Sequence, residues 1–304
     1  MFKSNTQKKG DTNSQYDNRP IGVFDSGLGG LTVAREIANE FPNESIYYVG
    51  DTFRCPYGSR EVNEVRSFVL EVASWLINHN VKAIVIACNT ATASGLRAAQ
   101  EVFDIPIIGV VDPGAIAAVE ATKTGRIGVL ATELTVKSGA YTVAIHRHDP
   151  KLQVFGCAAQ PFVTLVEDAL THDMHTEQDW YTSDQLFMDD EARSIVEKTV
   201  APLIEKNVDT VVTGCTHFPL LRAPLRAAFG DEVCLVSSSQ KTCEMLHDKL
   251  QELGQLASSD AVPHHHFATT SPDTASFRRA GEYIFGSEFE TLRHVDVLEL
   301  EGLI

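Results

Sequence analysis

The chain has 304 residues, enough for two modest domains or one large one. Its formal net charge of −16 argues against a nucleic-acid partner, because phosphate binding needs a basic face. No stretch approaches the ~20 consecutive apolar residues that span a bilayer, so no membrane association is expected.

The first residues of the chain, 1–19, are polar and show no hydrophobic periodicity, and we expect them to form a disordered extension. They lack the apolar middle of a secretory signal, which predicts a cytoplasmic protein. The cytoplasm keeps thiols reduced, and the cysteines show neither a CxxC pair nor disulfide-framework spacing. The cysteines are therefore expected to be free thiols; they stand at positions 55, 88, 157, 215, 234 and 243.

Strands and helices are predicted to alternate from residue 21 onward. The apolar run at 21–24 predicts a buried strand, and a glycine-rich segment separates it from a helix over 31–41. A strand at 45–50, an amphipathic helix at 61–79 and an apolar strand at 83–87 continue the series. This order is typical of an α/β fold with mostly parallel sheets.

The same pattern then begins again in the second part of the chain. The triplet IGV at 21–23 recurs at 127–129, and the strand-then-cysteine unit IVIACN at 84–89 is echoed by VVTGCT at 211–216. These echoes indicate two similar, pseudo-symmetric α/β domains, each with one cysteine at the carboxyl end of a strand. Open α/β sheets bind ligands at that end, so we expect the active site in the cleft between the domains.

Turn-rich segments suggest where the chain passes between the domains. The sequence VDPG at 111–114 predicts the first crossing, and the second is expected near 223–224. The first domain is then expected to comprise residues 20–112 and 224–304, including a late strand at 233–236. The second domain is expected to comprise residues 113–223.

Two cysteines carry the clearest chemical signal. Cys88 is expected where a strand ends and a helix begins, a position where unpaired N–H groups and the helix dipole favour thiolate and lower the thiol pKa. Asn89 and Thr90 could hold a carboxylate at the same helix start. Cys215 has the same placement, with His217 nearby to exchange a proton near neutral pH.

Asp25 and Ser26 end the first strand, which should neighbour the strand that leads to Cys88. Asp25 is either a helix N-cap or a base that works with the thiol, and an ionised Asp25 would raise the thiol pKa. The glycines that follow match neither the GxGxxG nor the GxxxxGK[ST] spacing, so they give little support to a phosphate loop.

Four motifs together resemble those of bacterial glutamate racemases, within the aspartate/glutamate racemase superfamily. They are VFDSGLGG at 23–30, PYG at 56–58, ACNTA at 87–91 and GCTHFPLL at 214–221. The resemblance implies an isomerase that interconverts L- and D-glutamate with two thiols and without a cofactor or metal, supplying D-glutamate for peptidoglycan synthesis. Aspartate-specific relatives tend to carry Glu where this chain has His217, which points to glutamate.

The resemblance also assigns roles to individual residues. Cys88 would exchange the α-proton of D-glutamate, assisted by Asp25, and Cys215 that of L-glutamate, assisted by His217. Glu167 resembles a further acidic site residue of the family. The implied substrate contacts are Asp25, Ser26, Tyr57, Gly58, Asn89, Thr90, Thr135, Thr216 and His217.

The resemblance implies a homodimer, and it suggests activation by UDP-N-acetylmuramoyl-L-alanine, to which some relatives with longer N-termini respond. One rival is an aspartate or hydantoin racemase on the same scaffold. Another is a two-domain protein that closes over an amino acid without chemistry, which would not need paired cysteines and usually needs export. A nucleotide-binding dehydrogenase is disfavoured by the glycine spacing.

Overall fold

Two separate parallel sheets organise the chain in a computed structural model that describes residues 16–173, 179–180, 182–289 and 291–301. The first sheet has six strands in the order β10-β9-β2-β1-β3-β4. Its strands are β1 Ile21–Asp25, β2 Ile46–Gly50, β3 Ala83–Ile86, β4 Ile107–Gly109, β9 His266–Thr269 and β10 Thr291–His294. The second sheet has the order β6-β5-β7-β8. Its strands are β5 Arg126–Ala131, β6 Gln153–Ala158, β7 Thr210–Gly214 and β8 Cys234–Val236.

Helices follow most strands, as the alternation of apolar patterns predicts. The first part of the chain contributes α1 Leu31–Glu40, α2 Val62–Asn78, α3 Asn89–Val102 and α4 Val111–Ala121. The middle contributes α5 Glu133–Ser138, α6 Ala140–His148, α7 Gln160–Asp168, α8 Asp190–Glu205 and α9 Arg222–Phe229. The last part contributes α10 Ser239–Leu253, α11 Thr274–Phe285 and α12 Val297–Glu301. Among these described helices, none is long and apolar enough to cross a membrane.

The two sheets repeat one strand order, which confirms the predicted pair of similar α/β domains. The order β2-β1-β3-β4 in the first sheet corresponds to β6-β5-β7-β8 in the second, and β9 and β10 extend the first sheet at one edge. The repeated IGV triplets lie in the two equivalent strands β1 and β5. Strands β1, β3 and β7 are buried along their whole length, as expected for parallel strands covered on both faces.

The first crossing between the sheets is a helix rather than the turn that its sequence suggests. The segment VDPG forms the first turn of α4, which connects β4 of the first sheet to β5 of the second. Pro113 fits there because the first N–H groups of a helix have no partner within the helix, so the missing proline N–H costs little.

The second crossing lies later in the chain than expected. Strand β8 was predicted to join the first domain, but it pairs with β7 in the second sheet, with Cys234 opposite Thr210. A strand of three residues has too short a hydrophobic pattern to predict which strand it pairs with. In the structure, pairing with β7 satisfies its backbone hydrogen-bonding groups. The chain returns to the first sheet with α10 and β9, so we propose the second crossing between β8 and α10.

Predicted disorder at the N-terminus concerns mainly residues 1–15, which lie outside the described residues. From Asp17 onward the chain is fixed against the body of the protein: Asp17 N–H donates to the Leu256 carbonyl at 3.0 Å, and Arg19 bonds the Asp17 carboxylate at 2.7 Å. The ammonium of Lys82, which is buried, donates to the Asp17 carbonyl at 2.6 Å. These contacts do not fit disorder at residues 17 to 19.

The carboxyl ends of the two sheets face each other across a narrow cleft. Thr32, in α1, donates to the Thr216 carbonyl beyond β7 at 3.2 Å. The Thr216 hydroxyl in turn lies 3.4 Å from Oδ1 of Asp25, at the end of β1. The segments that follow the central strands of both sheets therefore meet, as the sequence predicts.

Candidate active site

A buried pocket occupies the cleft where the carboxyl ends of the strands meet. Both sheets contribute to its wall. The lining residues are Ser26, Cys55, Pro56, Tyr57, Gly58, Cys88, Asn89, Thr90, Thr132, Val163, Cys215, Thr216 and His217. A second hollow lies beside α9, bordered by Arg226 and Asp231, and no cysteine among the described residues lines it.

Cys88 stands at the end of β3 as the N-cap of α3. Its sulfur accepts a hydrogen bond from the Ala91 N–H at 3.4 Å and lies 3.5 Å from the Ser26 hydroxyl. The side chain is buried, with 5% of its surface exposed. The thiol therefore has the helix-start position that the sequence predicts.

The pKa of Cys88 is higher than expected from that position. Burial and, next to it, the charge of the Asp25 carboxylate raise the pKa of the thiol to about 12, although the contacts from Ser26 and Ala91 lower it. The prediction of a lowered pKa was wrong, because the desolvation of a thiolate in a closed pocket outweighs two weak hydrogen bonds. The raised pKa favours the neutral thiol form of Cys88 at neutral pH.

Asp25 supports the glycine-rich loop from a fully buried position. Its Oδ2 accepts the N–H groups of Gly27 at 3.0 Å and Gly30 at 3.1 Å. Burial raises the pKa of this carboxyl, while His217 and the two backbone N–H groups oppose the rise. Asp25 makes no hydrogen bond to Cys88 among the described residues. Its charge is one of the causes that raise the pKa of that thiol.

Cys215 follows β7 and belongs to a chain of three side chains. Its sulfur lies 3.5 Å from Nδ1 of His217, and Nε2 of His217 lies 2.6 Å from Oε1 of Glu167. Glu167 comes from α7 and does not line the pocket itself. This arrangement brings Cys215 together with His217, its predicted assistant, and with Glu167, which was predicted only as a further acidic site residue.

The pKa of His217 is well above its ordinary value. Burial alone would lower it, but the hydrogen bonds to Cys215 and Glu167 and the charges of both partners favour the imidazolium. The Glu167 carboxylate binds Nε2 of His217, and Nδ1 faces the Cys215 thiol. His217 can therefore stabilise a thiolate at Cys215 or return a proton to it.

Polar groups that suit a carboxylate surround the two thiols. Asn89 and Thr90 follow Cys88 at the start of α3, and both line the pocket. Tyr57 and Gly58 approach from a short 3₁₀ turn, and the Tyr57 hydroxyl donates to the buried carboxylate of Asp51. Helix starts and hydroxyl groups offer hydrogen-bond donors to an anion.

Three threonine hydroxyls form a cluster across the cleft. Thr90 lies 2.8 Å from Thr132 and 3.2 Å from Thr135, and the last two lie 3.0 Å apart. Thr135 is buried and reaches the pocket only through this cluster. Thr132 lines the pocket and was not predicted, although it directly follows β5, the position by which Ser26 and Cys88 were recognised. Val163 also lines it, but nothing in the sequence distinguishes it from a core valine.

Cys88 and Cys215 both lie in the part of the chain that is similar to known proteins. A profile of Asp/Glu/Hydantoin racemases matches residues 21–246, which include Cys88, Cys215 and all four strands of the second sheet. This chain belongs to the Asp/Glu/hydantoin racemase family. Within that family, a glutamate racemase from Exiguobacterium sibiricum is 42% identical over 262 residues, which cover 86% of this chain and 90% of the relative.

Solved structures of family members share the two-domain fold. The crystal structure of a glutamate racemase isoform from Bacillus anthracis matches with a TM-score of 0.83 and 40% identity, covering 93% of this chain and 99% of that one. The glutamate racemase of Escherichia coli, solved with L-glutamate and the activator UDP-MurNAc-Ala, matches with a TM-score of 0.71 and 26% identity, covering 91% and 98%. The comparison with racemases therefore extends over nearly the whole described chain.

Proposed function

We propose that this protein is a glutamate racemase that interconverts L- and D-glutamate by a two-thiol mechanism without a cofactor. The observation that carries the proposal is the placement of Cys88 and Cys215 after the equivalent strands β3 and β7, with both side chains lining one pocket. Similarity to glutamate racemases over most of the chain supports glutamate as the substrate.

The reaction follows from thiols on opposite sides of the substrate. One thiolate removes the α-proton while the other thiol adds a proton to the opposite face, which inverts the α-carbon. We assign Cys215 to the proton of L-glutamate, because His217 and Glu167 can support its thiolate, and Cys88 to that of D-glutamate. The raised pKa of Cys88 keeps this thiol protonated, which suits its role as the acid when L-glutamate is converted to D-glutamate.

The substrate contacts are proposed on the same grounds. Asn89 and Thr90 at the start of α3, together with Ser26, Gly58 and Thr216, present donors to a pocket that a dicarboxylate would fill. Asp25 and His217 supply the charge beside the two thiols. His217, where aspartate-specific relatives tend to carry a glutamate, favours glutamate over aspartate.

The cellular role follows from the product. D-glutamate is a building block of bacterial peptidoglycan, so we propose a role in cell-wall synthesis. We also propose a cytoplasmic location, because the chemistry needs two reduced thiols and the cytoplasm keeps thiols reduced. Activation by UDP-N-acetylmuramoyl-L-alanine and a homodimeric state are proposed from the resemblance to relatives. A titration of that precursor and a sedimentation measurement test them separately.

A direct test is the decay of optical rotation of L-glutamate with the purified protein and no added cofactor. After dialysis against a chelator and hydroxylamine, the rotation should still fall to zero from either enantiomer. Aspartate and hydantoin, measured in parallel, should turn over far more slowly. Activity that returns only with pyridoxal phosphate or a metal would contradict the two-thiol mechanism, and faster turnover of aspartate would contradict the substrate.

Serine variants test the two thiols individually. Cys88→Ser and Cys215→Ser should each lose two to four orders of magnitude in racemisation, roughly the contribution of a general acid or base. In deuterated water the Cys88 variant should slowly exchange the α-proton of L-glutamate without inversion, and the Cys215 variant that of D-glutamate. Cys234→Ser, an exposed thiol on β8, is the matched control and should keep its activity. A near-normal rate in either pocket variant would show that its thiol is structural.

A further inference from the structure

One buried tyrosine connects the segments that carry both thiols. Tyr141 lies in α6 of the second domain, with 3% of its surface exposed. Its hydroxyl donates to Oδ1 of Asn89 at 2.6 Å, across the cleft. Because Asn89 directly follows Cys88, this hydrogen bond reaches from the second domain to the residue beside the thiol of the first.

The ring of Tyr141 also packs against the backbone near the other thiol. A Cβ added to Gly214, the residue before Cys215, would lie 3.0 Å from Cε2 of the ring. A Cβ added to Gly114, in the crossing helix α4, would lie 2.8 Å from the hydroxyl oxygen. The tyrosine therefore occupies space that exists only because two neighbouring residues are glycines.

Gly114 is unexpected at its position in α4. Glycine is among the least favourable residues inside a helix, and alanine is the most favourable. The close approach of the Tyr141 hydroxyl accounts for it, because any side chain there would push the oxygen away from Asn89. A residue with low helix propensity therefore stands in α4 where the Tyr141 hydroxyl approaches the helix.

The hydrogen bond decides which end of the Asn89 amide faces the pocket. An asparagine side chain has one carbonyl acceptor and an NH₂ group with two donors. The Tyr141 hydroxyl donates to Oδ1 of this amide, and burial, which raises the pKa of Tyr141, keeps the proton on the hydroxyl. Nδ2 makes no hydrogen bond to any described residue, and Asn89 lines the pocket. The two N–H donors are thereby left for a ligand.

We propose that Tyr141 is a positioning residue: it holds Asn89 with its NH₂ group toward the pocket and so creates a binding position for a substrate carboxylate beside Cys88. The inference rests on the proposed glutamate racemase activity. Without the tyrosine hydroxyl, the amide can rotate and present its carbonyl oxygen, which repels a carboxylate.

The variant Tyr141→Phe removes the hydroxyl and keeps the ring. The KM for both enantiomers should rise about tenfold, the scale of one hydrogen bond to a charged group, and kcat should change much less. Tyr283→Phe is the matched control, since the Tyr283 hydroxyl is buried and without a hydrogen-bond partner in the described structure. That control should leave KM unchanged.

Two further variants separate positioning from general support of the fold. In an Asn89→Ala background, Tyr141→Phe should have no additional effect on KM, because the tyrosine acts through the asparagine. Gly114→Ala should raise KM as Tyr141→Phe does, because its Cβ would displace the Tyr141 hydroxyl. Equal, additive losses in both backgrounds, or an unchanged KM in Tyr141→Phe, would overturn the proposal.

The orientation of the amide can be measured without turnover. The side-chain NH₂ signal of Asn89 in the NMR spectrum, assigned through its loss in Asn89→Ala, should shift and broaden in Tyr141→Phe and remain unchanged in Tyr283→Phe. An identical signal in the wild-type protein and Tyr141→Phe would refute the positioning role. Failure of the unaltered protein to racemise glutamate would refute the proposed function instead, so the two outcomes can be distinguished.

Discussion

The two thiols have different chemical surroundings although they occupy equivalent positions. Cys88 is surrounded by groups that disfavour its thiolate, namely the closed pocket and the carboxylate of Asp25. Cys215 instead contacts His217, whose outer nitrogen is bound by Glu167. At neutral pH the proton is therefore expected on Cys88, and positive charge is expected beside Cys215.

Removal of the Glu167 carboxylate should expose the dependence of Cys215 on its histidine. Glu167→Gln removes a charge that raises the His217 pKa, so the imidazolium should be lost at a lower pH. The alkaline limb of the kcat/KM profile should move to lower pH, and the maximum should fall by roughly 10²-fold. The measurement is the pH–rate profile for both enantiomers.

Glu197→Gln is the control for this prediction, because Glu197 is an exposed carboxylate on α8 in the same domain. It should leave the profile unchanged. A Glu167→Gln profile that keeps its alkaline limb in place would mean that the limb belongs to a group other than His217.

At the scale of elements, the loop between β1 and α1 brings the two domains into contact. Gly29 lies in this loop, and a Cβ there would be 2.5 Å from the Thr216 hydroxyl and 2.7 Å from Nδ1 of His217. Only a residue without a side chain permits the loop to approach Cys215 and its partner so closely. The loop thus helps to set the distance between the two halves of the pocket.

Gly29→Ala should open this contact and misplace the proton-transfer groups. Because a displacement of about 1 Å at an active site can cost about 10²-fold in rate, we expect kcat/KM to fall by that order with the protein still folded. Kinetics and thermal unfolding together measure this. Gly22→Ala in β1, where the neighbouring atoms are ends of Leu76 and Val81 side chains, is the control and should retain far more activity. Equal losses in the two variants would contradict the role of the loop.

Strands that end at candidate site residues were predictable from the sequence. The placement of short connecting elements was not. Buried apolar runs that end in Asp25, Cys88 and Cys215 identify parallel strands and their carboxyl ends. In contrast, β8 was predicted as a strand, but its three residues do not identify the sheet that it joins. The start of α4 has the Pro and Gly content of a turn. The pKa of Cys88 depends on how completely the folded protein excludes water, which strand patterns do not contain.

At the scale of the whole molecule, a buried ion pair closes the end of the first domain remote from the pocket. Lys82 lies before β3, and its ammonium is 2.5 Å from the Glu44 carboxylate. It also donates to the carbonyls of Asp17 and Gln255 at 2.6 and 2.8 Å, which joins the start of the described chain to the segment after α10. The pair therefore fastens three distant parts of the sequence together.

Lys82→Met should destabilise the protein strongly and leave the chemistry intact. The variant leaves a buried carboxylate without its partner, which costs about 3–5 kcal/mol. The free energy of unfolding, measured by urea denaturation, should fall by that amount. KM and kcat, measured at a temperature where the variant is folded, should stay near normal. Combining it with Glu44→Gln should recover part of the loss, and no recovery would mean that the two carbonyl contacts, rather than the ion pair, carry the stability.

The repeated strand order has a kinetic consequence. It places two inequivalent thiols around a substrate whose mirror-image forms have equal free energy in water. Because the equilibrium constant is one, kcat/KM must be the same for L- and D-glutamate, however different the two thiols are. The difference between the two thiols can therefore affect only the separate values of kcat and KM for each enantiomer. It can also decide which proton transfer is rate-limiting in each direction. Differences between the two similar halves can therefore set the KM of each enantiomer separately, while the equilibrium remains a racemic mixture.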